Sequence, residues 1–212
     1  MNELFHNIDP KQKQKLLRSL EGNTYFYQSN HIILSNLKKD NIIGIIIEGH
    51  IQITKTDYNG NRIIIEDLKE NSVFGTMTQS ISYKEYDIYC KANSKIIIID
   101  FAQIINYDES KSYYFTQFLK NLLKILSEKI IKNNERIEIL TNKTIRDKLL
   151  AYFKFNSKNS VNRIIYLPFT FTDLADYLAV NRSAMTRELK NLKEEGFIEI
   201  KGKKIKLLYD IN

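Results

Sequence analysis

With 212 residues, 43% of them hydrophobic, the chain is long enough for two small domains and apolar enough to give each a core. Its net charge of +7 is unevenly placed: from Thr141 onward 14 Lys and Arg stand against 8 Asp and Glu, while the first 140 residues hold 18 against 17. A cationic end on a nearly neutral chain implies a polyanion-binding module joined to a module with a different task. Codon bias toward Lys, Asn and Ile explains the lysines but not that asymmetry. The single cysteine, Cys90, excludes an internal disulfide framework and any four-cysteine metal or iron–sulfur site. The start, MNELFHNIDP, is polar, and no apolar run reaches the roughly 18 residues of a membrane span. The expectation is a cytoplasmic protein that does not enter a membrane.

Residues 3–22 carry a short amphipathic helical pattern. Over residues 25–100 the pattern becomes short β-branched runs (HIIL, IIGIIIEGHIQITKT, RIIIEDL, DIYCKA, KIIIID) separated by turn residues, with a hairpin turn at Asn59 and Gly60. Such spacing without long intervening helices predicts an antiparallel barrel or jelly-roll sandwich, and the fold class as a whole is α+β. Cys90 falls in one of these strands, where a buried inert thiol is the simpler reading than a redox sensor.

A helix free of Gly and Pro is predicted over residues 110–140. Leu119, Leu122, Leu126, Ile130, Asn133, Ile137 and Leu140 step along it by three and four, a coiled-coil-like seam that predicts a homodimer. Asn133 at a seam position suits the setting of dimer register. The alternative is a monomer whose helix packs only on its own β domain. LTNKT, residues 140–144, breaks the seam as a hinge, so the predicted domains are 1–109, 110–140 and 141–212.

After a further helix (IRDKLLAYFKF), a polar loop and a short strand ending at Pro168, Thr170 and Asp173 form a capping box that starts a helix at Phe171. AVN is a three-residue turn, and Asn181 caps the next helix, which runs from Arg182 to Glu194. Met185, Leu189 and Leu192 point inward there, leaving Arg182, Ser183, Thr186, Arg187 and Lys190 outward. Gly196 ends the helix, and FIEIKGKKIKLLY reads as a two-stranded hairpin turning at residues 201–203. Helix, tight turn, helix and β wing make a winged helix-turn-helix, which directs the second helix into the major groove of duplex DNA. Double-stranded RNA, whose major groove is narrow, suits it poorly. A helical hairpin with merely solvated arginines is the plainer alternative.

In this order the whole chain resembles the CRP/FNR family of dimeric bacterial transcription regulators, over about residues 20–210. The resemblance rests on EGHIQITKTDYNGNRIIIEDLKENSVFG for a cyclic-nucleotide-binding-like domain and on TDLADYLAVNRSAMTRELKNLKEEGFI for the reader. It implies a homodimer on a palindromic site, an effector in the β domain that controls the readers through the long helix, and RNA polymerase as a further partner. The family's Arg-Glu-x-x-x-Arg reading pattern falls on Arg182, Ser183 and Arg187, so the glutamate is replaced by serine. Arg182 and Arg187 would contact bases with help from Ser183 and Thr186. Asn181, Thr170, Lys190 and the wing residues Lys201 and Lys203 would hold phosphates.

The effector cassette departs further. FGTMTQSISYKEYDIYCKA aligns with the family's phosphate-binding stretch, and implies a pocket at Phe74, Gly75, Thr76, Tyr86 and Asp87, approached by Asn133 and Asn134 of the long helix. Thr76 replaces the ribose-binding glutamate, and Tyr86 and Asp87 replace the phosphate-binding arginine and its hydroxyl neighbour. A phenol and a carboxylate do not attract a cyclic phosphate, so an effector other than cAMP, or none, is expected. A cyclic-nucleotide response would need a cation from elsewhere, Lys84 or Lys91. LSNLKKD also replaces the glycine-bearing turn before IIGIIIEG. No resident cofactor is expected. The alternative of a haem-based gas or redox sensor would draw axial ligands from His6, His31, His50 and Cys90. A ligand-sensing module acting through protein partners is the reading from another class, and would not need the basic reader. No Gly-rich phosphate loop or His/Asp/Ser arrangement indicates an enzyme.

Overall fold

The computed structural model describes residues 2–33, 41–75, 86–107, 112–158 and 160–208. Contacts divide the chain into two units, residues 1–60 with 65–129 and residues 61–64 with 130–212. The boundary falls inside the long helix.

In the N-terminal unit the expected helical preface is a 3-10 turn, Glu3–Phe5, followed by α1, Pro10–Ser19. The break between them has a local cause. Asp9 accepts from the amides of Lys11 and Gln12 at 2.9 and 3.0 Å, and Pro10 occupies the first helical position, so α1 starts afresh there. The strands β1 (Asn23–Tyr27), β2 (Ile42–Glu48), β3 (His50–Thr56), β4 (Arg62–Lys69), β5 (Val73–Gly75), β6 (Asp87–Cys90) and β7 (Ser94–Asp100) form two antiparallel sheets. Their orders are β1-β7-β2-β5 and β4-β3-β6. Two sheets, not a closed barrel, are what the described residues form, so the jelly-roll branch of the expectation holds.

The isoleucine runs have a direct explanation in this layering. β2 and β7 lie at the centre of the four-stranded sheet, and both faces of that sheet are covered. Ile43, Ile45, Ile97 and Ile99 join a core with Leu4, Phe5, Ile8 and Leu16. Their neighbours Ile42, Ile46, Ile96 and Ile98 join a second core with Ile51, Ile88 and Cys90 of the other sheet. A strand buried on both sides reads as continuous apolar sequence. Gly44 interrupts the run because the Phe74 ring lies on it: a Cβ there would sit 2.2 Å from the ring.

After the short α2 (Phe101–Ile105), the long helix α3 spans Tyr113–Thr141. Phe115, Phe118, Leu122 and Ile125 bury one stripe of it in the N-terminal core, and Leu119 and Leu126 pack against that core. The stripe left exposed is Leu123, Ile130 and Ile137, at 63, 60 and 59% exposure and seven residues apart, with Ile131 beside it. Of the expected seam, then, Leu119, Leu122 and Leu126 serve their own domain. Ile130, Asn133 and Ile137 are exposed and Leu140 is half-buried.

The C-terminal unit comprises α4 (Ile145–Ser157), a 3-10 turn (Val161–Arg163), β8 (Ile164–Tyr166), α5 (Phe171–Leu178), α6 (Arg182–Glu194), β9 (Ile198–Lys201) and β10 (Lys204–Leu207). Its strands pair in the order β8-β10-β9. Leu149, Phe153, Leu174, Leu178, Met185, Leu192 and Ile205 form its core, and Ile139 from the end of α3 joins them.

Replacing Gly44 with Ala should destabilise the N-terminal unit by about 1–3 kcal/mol, the usual cost of overpacking a closed core. Urea unfolding followed by circular dichroism measures it; an unchanged midpoint would mean that the Phe74 ring has room to move.

Candidate nucleic-acid interface

The reading surface is built from caps. The Thr170 hydroxyl accepts from the Asp173 amide at 3.1 Å and donates to the Asp173 carboxylate at 2.9 Å, so α5 begins where its sequence predicts. At its other end Ala179 takes the left-handed conformation, φ 51°, and the Val180 amide donates to the Ala175 carbonyl at 3.0 Å. This is a Schellman-type closure with alanine where glycine is usual. Two residues later the Asn181 side chain accepts from the Ala184 amide at 3.1 Å and starts α6.

Along α6, at 100° per residue, Arg182, Ser183, Thr186, Arg187 and Lys190 cover an arc of about 140°, while Met185, Leu189 and Leu192 occupy the opposite face. All five are exposed, and those three are buried. Arg182 and Arg187 have no side-chain partner among the described residues. The Thr186 hydroxyl donates to the Arg182 carbonyl at 2.9 Å. Lys190 lies 3.6 Å from Glu194 in an exposed pair of little energetic weight. The Thr170 hydroxyl, expected at a phosphate, serves in the cap as both donor and acceptor. What remains for a phosphate there is the first turn of amides of α5. Lys201 and Lys203 are exposed on either side of the wing turn at Gly202, whose φ is 59°.

Two arginines outside the helix-turn-helix position it. Arg146 on α4 bonds Glu188 at 3.2 Å and both oxygens of Glu195, and its guanidinium lies 4.8 Å from the centre of the Phe197 ring. The hydrogen bond to Glu195 is the chief cause that raises the Arg146 pKa and lowers that of Glu195. Arg62, one of the residues grouped with this unit, donates to Asp173 at 2.7 Å and to Asp176 at 2.9 and 3.0 Å. Burial opposes the Arg62 charge, but the bonds to Asp176 and Asp173 outweigh it and its pKa rises. Sequence reasoning missed both arginines, since neither pairing has a local signature: the partners lie 42 to 114 residues away.

Of the residues expected to line an effector pocket, Phe74 and Gly75 end β5, Asp87 begins β6, and Asn133 and Asn134 lie on α3. Phe74 is a core residue, 2% exposed, because it closes over Gly44. Gly75 pairs with Ile43, and its own Cβ would strike the Ile42 carbonyl. Tyr86 is half-buried, with the Lys55 ammonium 5.4 Å from its ring centre, and Asp87 is exposed. Asn133 and Asn134 are exposed on α3. Thr76, Lys84 and the LSNLKKD turn lie outside the described residues. Of the histidines, His6 and His31 are exposed, and His50 Nε2 meets the Asp67 carboxylate at 2.7 Å. Gln52 donates to the same Asp67 oxygen at 2.8 Å, so these three side chains form one partly buried structural cluster. Cys90 is buried, and burial pushes its thiol pKa up.

A capped helix pair, a basic outward face on its second helix and a β wing define a DNA-binding module of the winged helix-turn-helix class. Residues 148–209 match the family described as "Crp-like helix-turn-helix domain". In fold the chain is similar to a CooA mutant from Carboxydothermus hydrogenoformans, with a TM-score of 0.73 and 17% identity over 92% of this chain and 86% of that one. It is similar to CLP from Xanthomonas campestris, described as a c-di-GMP responsive global regulator, with a TM-score of 0.68 and 16% identity over 95% of this chain and 100% of that one. A CRP-family transcriptional regulator from Thermus thermophilus gives 0.58 and 14% over 87% and 92%. At such identities the likeness is one of fold. No curated protein matches the chain by sequence. Residues 148–209 are thus a Crp-like helix-turn-helix domain, and the chain as a whole shares the fold of these regulators.

Replacing Arg146 with Ala should lower the melting temperature at pH 7. Because Glu195 has a depressed pKa when folded, its share of the stability is present above the ordinary carboxylate range and is lost as pH falls through the folded value. The difference between variant and parent should therefore narrow below about pH 4. A gap that stayed constant from pH 7 to pH 3 would assign the effect to the Phe197 contact alone.

Proposed function

We propose that two copies of this chain bind a palindromic site in duplex DNA in the cytoplasm, and that their occupancy is read by RNA polymerase. The observation that carries this is the exposed face of α6, with Arg182 and Arg187 unpaired beside Ser183 and Thr186. A guanidinium is the best single reader of guanine O6 and N7, and a bidentate contact discriminates by about 1–3 kcal/mol. Ser183 stands where a carboxylate would accept from cytosine N4, so the target differs from the family consensus at that base pair. Asn181, Lys190, Lys201, Lys203 and the amides at Thr170 hold phosphates and set the register.

The apolar stripe Leu123, Ile130 and Ile137 repeats every seven residues on α3 and supports pairing with the same helix of a second copy. Half-sites would then lie about one helical turn, roughly 34 Å, apart. Residues 1–109 form the sensing module, 110–140 the dimerisation helix and 141–212 the reader. The effector, where one acts, is other than cAMP, since Tyr86 and Asp87 supply no cation for a cyclic phosphate. The protein works by binding and turns over no substrate.

With a duplex selected from a random pool, Arg187→Ala should lose discrimination between bases. Lys203→Ala should weaken all sequences evenly and lower the slope of log K against log salt by about one. Fluorescence anisotropy reads both, and intact selectivity in Arg187→Ala would rule out this docking of α6. For the dimer, the double change Ile130→Asp with Ile137→Asp should give the single-chain mass in sedimentation equilibrium. It should cost duplex affinity at least about tenfold through lost bivalency. A variant that sedimented at twice that mass would move the interface away from α3.

A further inference from the structure

On the outer face of the three-stranded sheet, Lys204 stands directly opposite Lys201 on one side and opposite Tyr166 on the other. Like charges face to face across a strand pair are destabilising. Lys204 is half-buried, and neither lysine has an ion-pair partner among the described residues. The next row sets Lys206 between Glu199 and Ile164, with Glu199 3.9 Å from the Lys206 ammonium. The 3-10 turn at the edge of this sheet holds two consecutive non-glycine residues in the left-handed region, Asn162 at φ 59° and Arg163 at φ 56°. Such a conformation is unfavourable for a residue with a Cβ, more so for arginine than for asparagine. Between turn, sheet and the end of α6 lies an open concavity of about 860 Å3, lined by Arg163, Ile164, Lys193, Lys201, Lys204 and Lys206 among others.

Opposed lysines and a doubly strained turn each breach a local rule, and they meet at one depression. Such coincidences mark functional sites. The concavity has the volume of a small-molecule pocket. Its lining combines cations for phosphates with an apolar wall at Ile164 and Ile200 and one carboxylate, Glu199, which is paired with Lys206; the exposed ring of Tyr166 stands beside it, opposite Lys204 on the neighbouring strand. A track for duplex backbone needs the cations but neither the wall nor the ring. A nucleotide needs all three, because its base has an apolar π-face as well as phosphates.

We infer that this concavity binds a free nucleoside polyphosphate, held by Lys193, Lys201 and Lys204 with its base against Ile164, Ile200 and Tyr166. It is a small-anion site in the reader, apart from the sensing module and from the face of α6. The ligand would share Lys201 with the phosphate contacts proposed for DNA, so the two anions would compete there.

Isothermal titration of the full chain without DNA tests this independently of any reading of duplex sequence. ATP should bind saturably with Kd below about 1 mM, tripolyphosphate about tenfold more weakly, and adenosine not measurably. Lys204→Glu should weaken ATP at least tenfold, with Lys193→Glu as a second variant in case the first unfolds by circular dichroism. Arg187→Ala should leave ATP binding unchanged. Absence of saturable ATP binding, with Lys204→Glu weakening a DNA duplex instead, would give the concavity to the DNA backbone and overturn the proposal. ATP binding untouched by both lysine variants would overturn it as well.

Discussion

Between α5 and α6 the chain reverses in three residues because Ala179 enters the left-handed region and the amides of Ala179 and Val180 bond back to the last turn of α5. Everything the C-terminal unit presents to a duplex depends on that reversal. It sets the angle at which α6 leaves α5, and with Asn181 capping the first turn it decides which residues begin α6. Alanine tolerates the conformation at a cost of about 1–2 kcal/mol, whereas a β-branched residue would tolerate it poorly. The offsetting contribution comes from the core. Leu174 and Leu178 on one side of the turn and Met185 and Leu189 on the other are buried together, and Val180 packs against them. A turn that strains the backbone persists because the packing around it over-determines it.

Charge is the second constraint, and it is handled differently inside and outside. Asp173, only 4% exposed, would be costly alone, since a buried carboxylate needs a partner and hydrogen bonds. It has both: the Thr170 hydroxyl on one oxygen, its own amide bonded back to Thr170, and the Arg62 guanidinium on the other oxygen. The residue that caps α5 is thus also the one that anchors it to Arg62, so local helix geometry and a contact 111 residues away in sequence depend on one side chain. On the outer face of α6 the opposite holds. Arg182 and Arg187 have no partner among the described residues, which water makes inexpensive and which keeps both guanidinium groups available to an anion.

The C-terminal unit was largely legible because its determinants are local. Both helices, both caps and the wing turn lie where capping chemistry, 3.6-residue periodicity and a single glycine place them. The long helix was only half legible. Periodicity shows that Leu119, Leu122, Leu126, Ile130 and Ile137 fall along one side, but not which apolar stripe a helix turns toward its own domain. Phe115, Phe118 and Ile125 make the N-terminal half of α3 richer in apolar residues than a seam requires, and that half is drawn into the core beside Phe5 and Leu16. The β-branched runs announced strands, while the double burial of β2 and β7 was unreadable until their place in the sheet was known. The packing of Phe74 over Gly44 was equally unreadable, because the two lie thirty residues apart, beyond any local window. Arg62 and Arg146 escaped for the same reason.

These contrasts separate the parts of the molecule that specify the fold from the parts that spend stability on something else. In the cores of both units, propensity, capping and packing agree. On the surface of the C-terminal unit they disagree in several places: arginines along α6 with no partner among the described residues, opposed lysines in the wing, and left-handed Asn162 and Arg163. Screening at physiological salt, with a Debye length of about 8 Å, keeps the repulsion among these exposed cations modest in the free protein. An anion that neutralises them gains the full attraction and also removes the repulsion. The concentration of positive charge in this unit therefore acts less on whether the chain folds than on what the folded chain attracts. It also makes every such association weaken as salt rises.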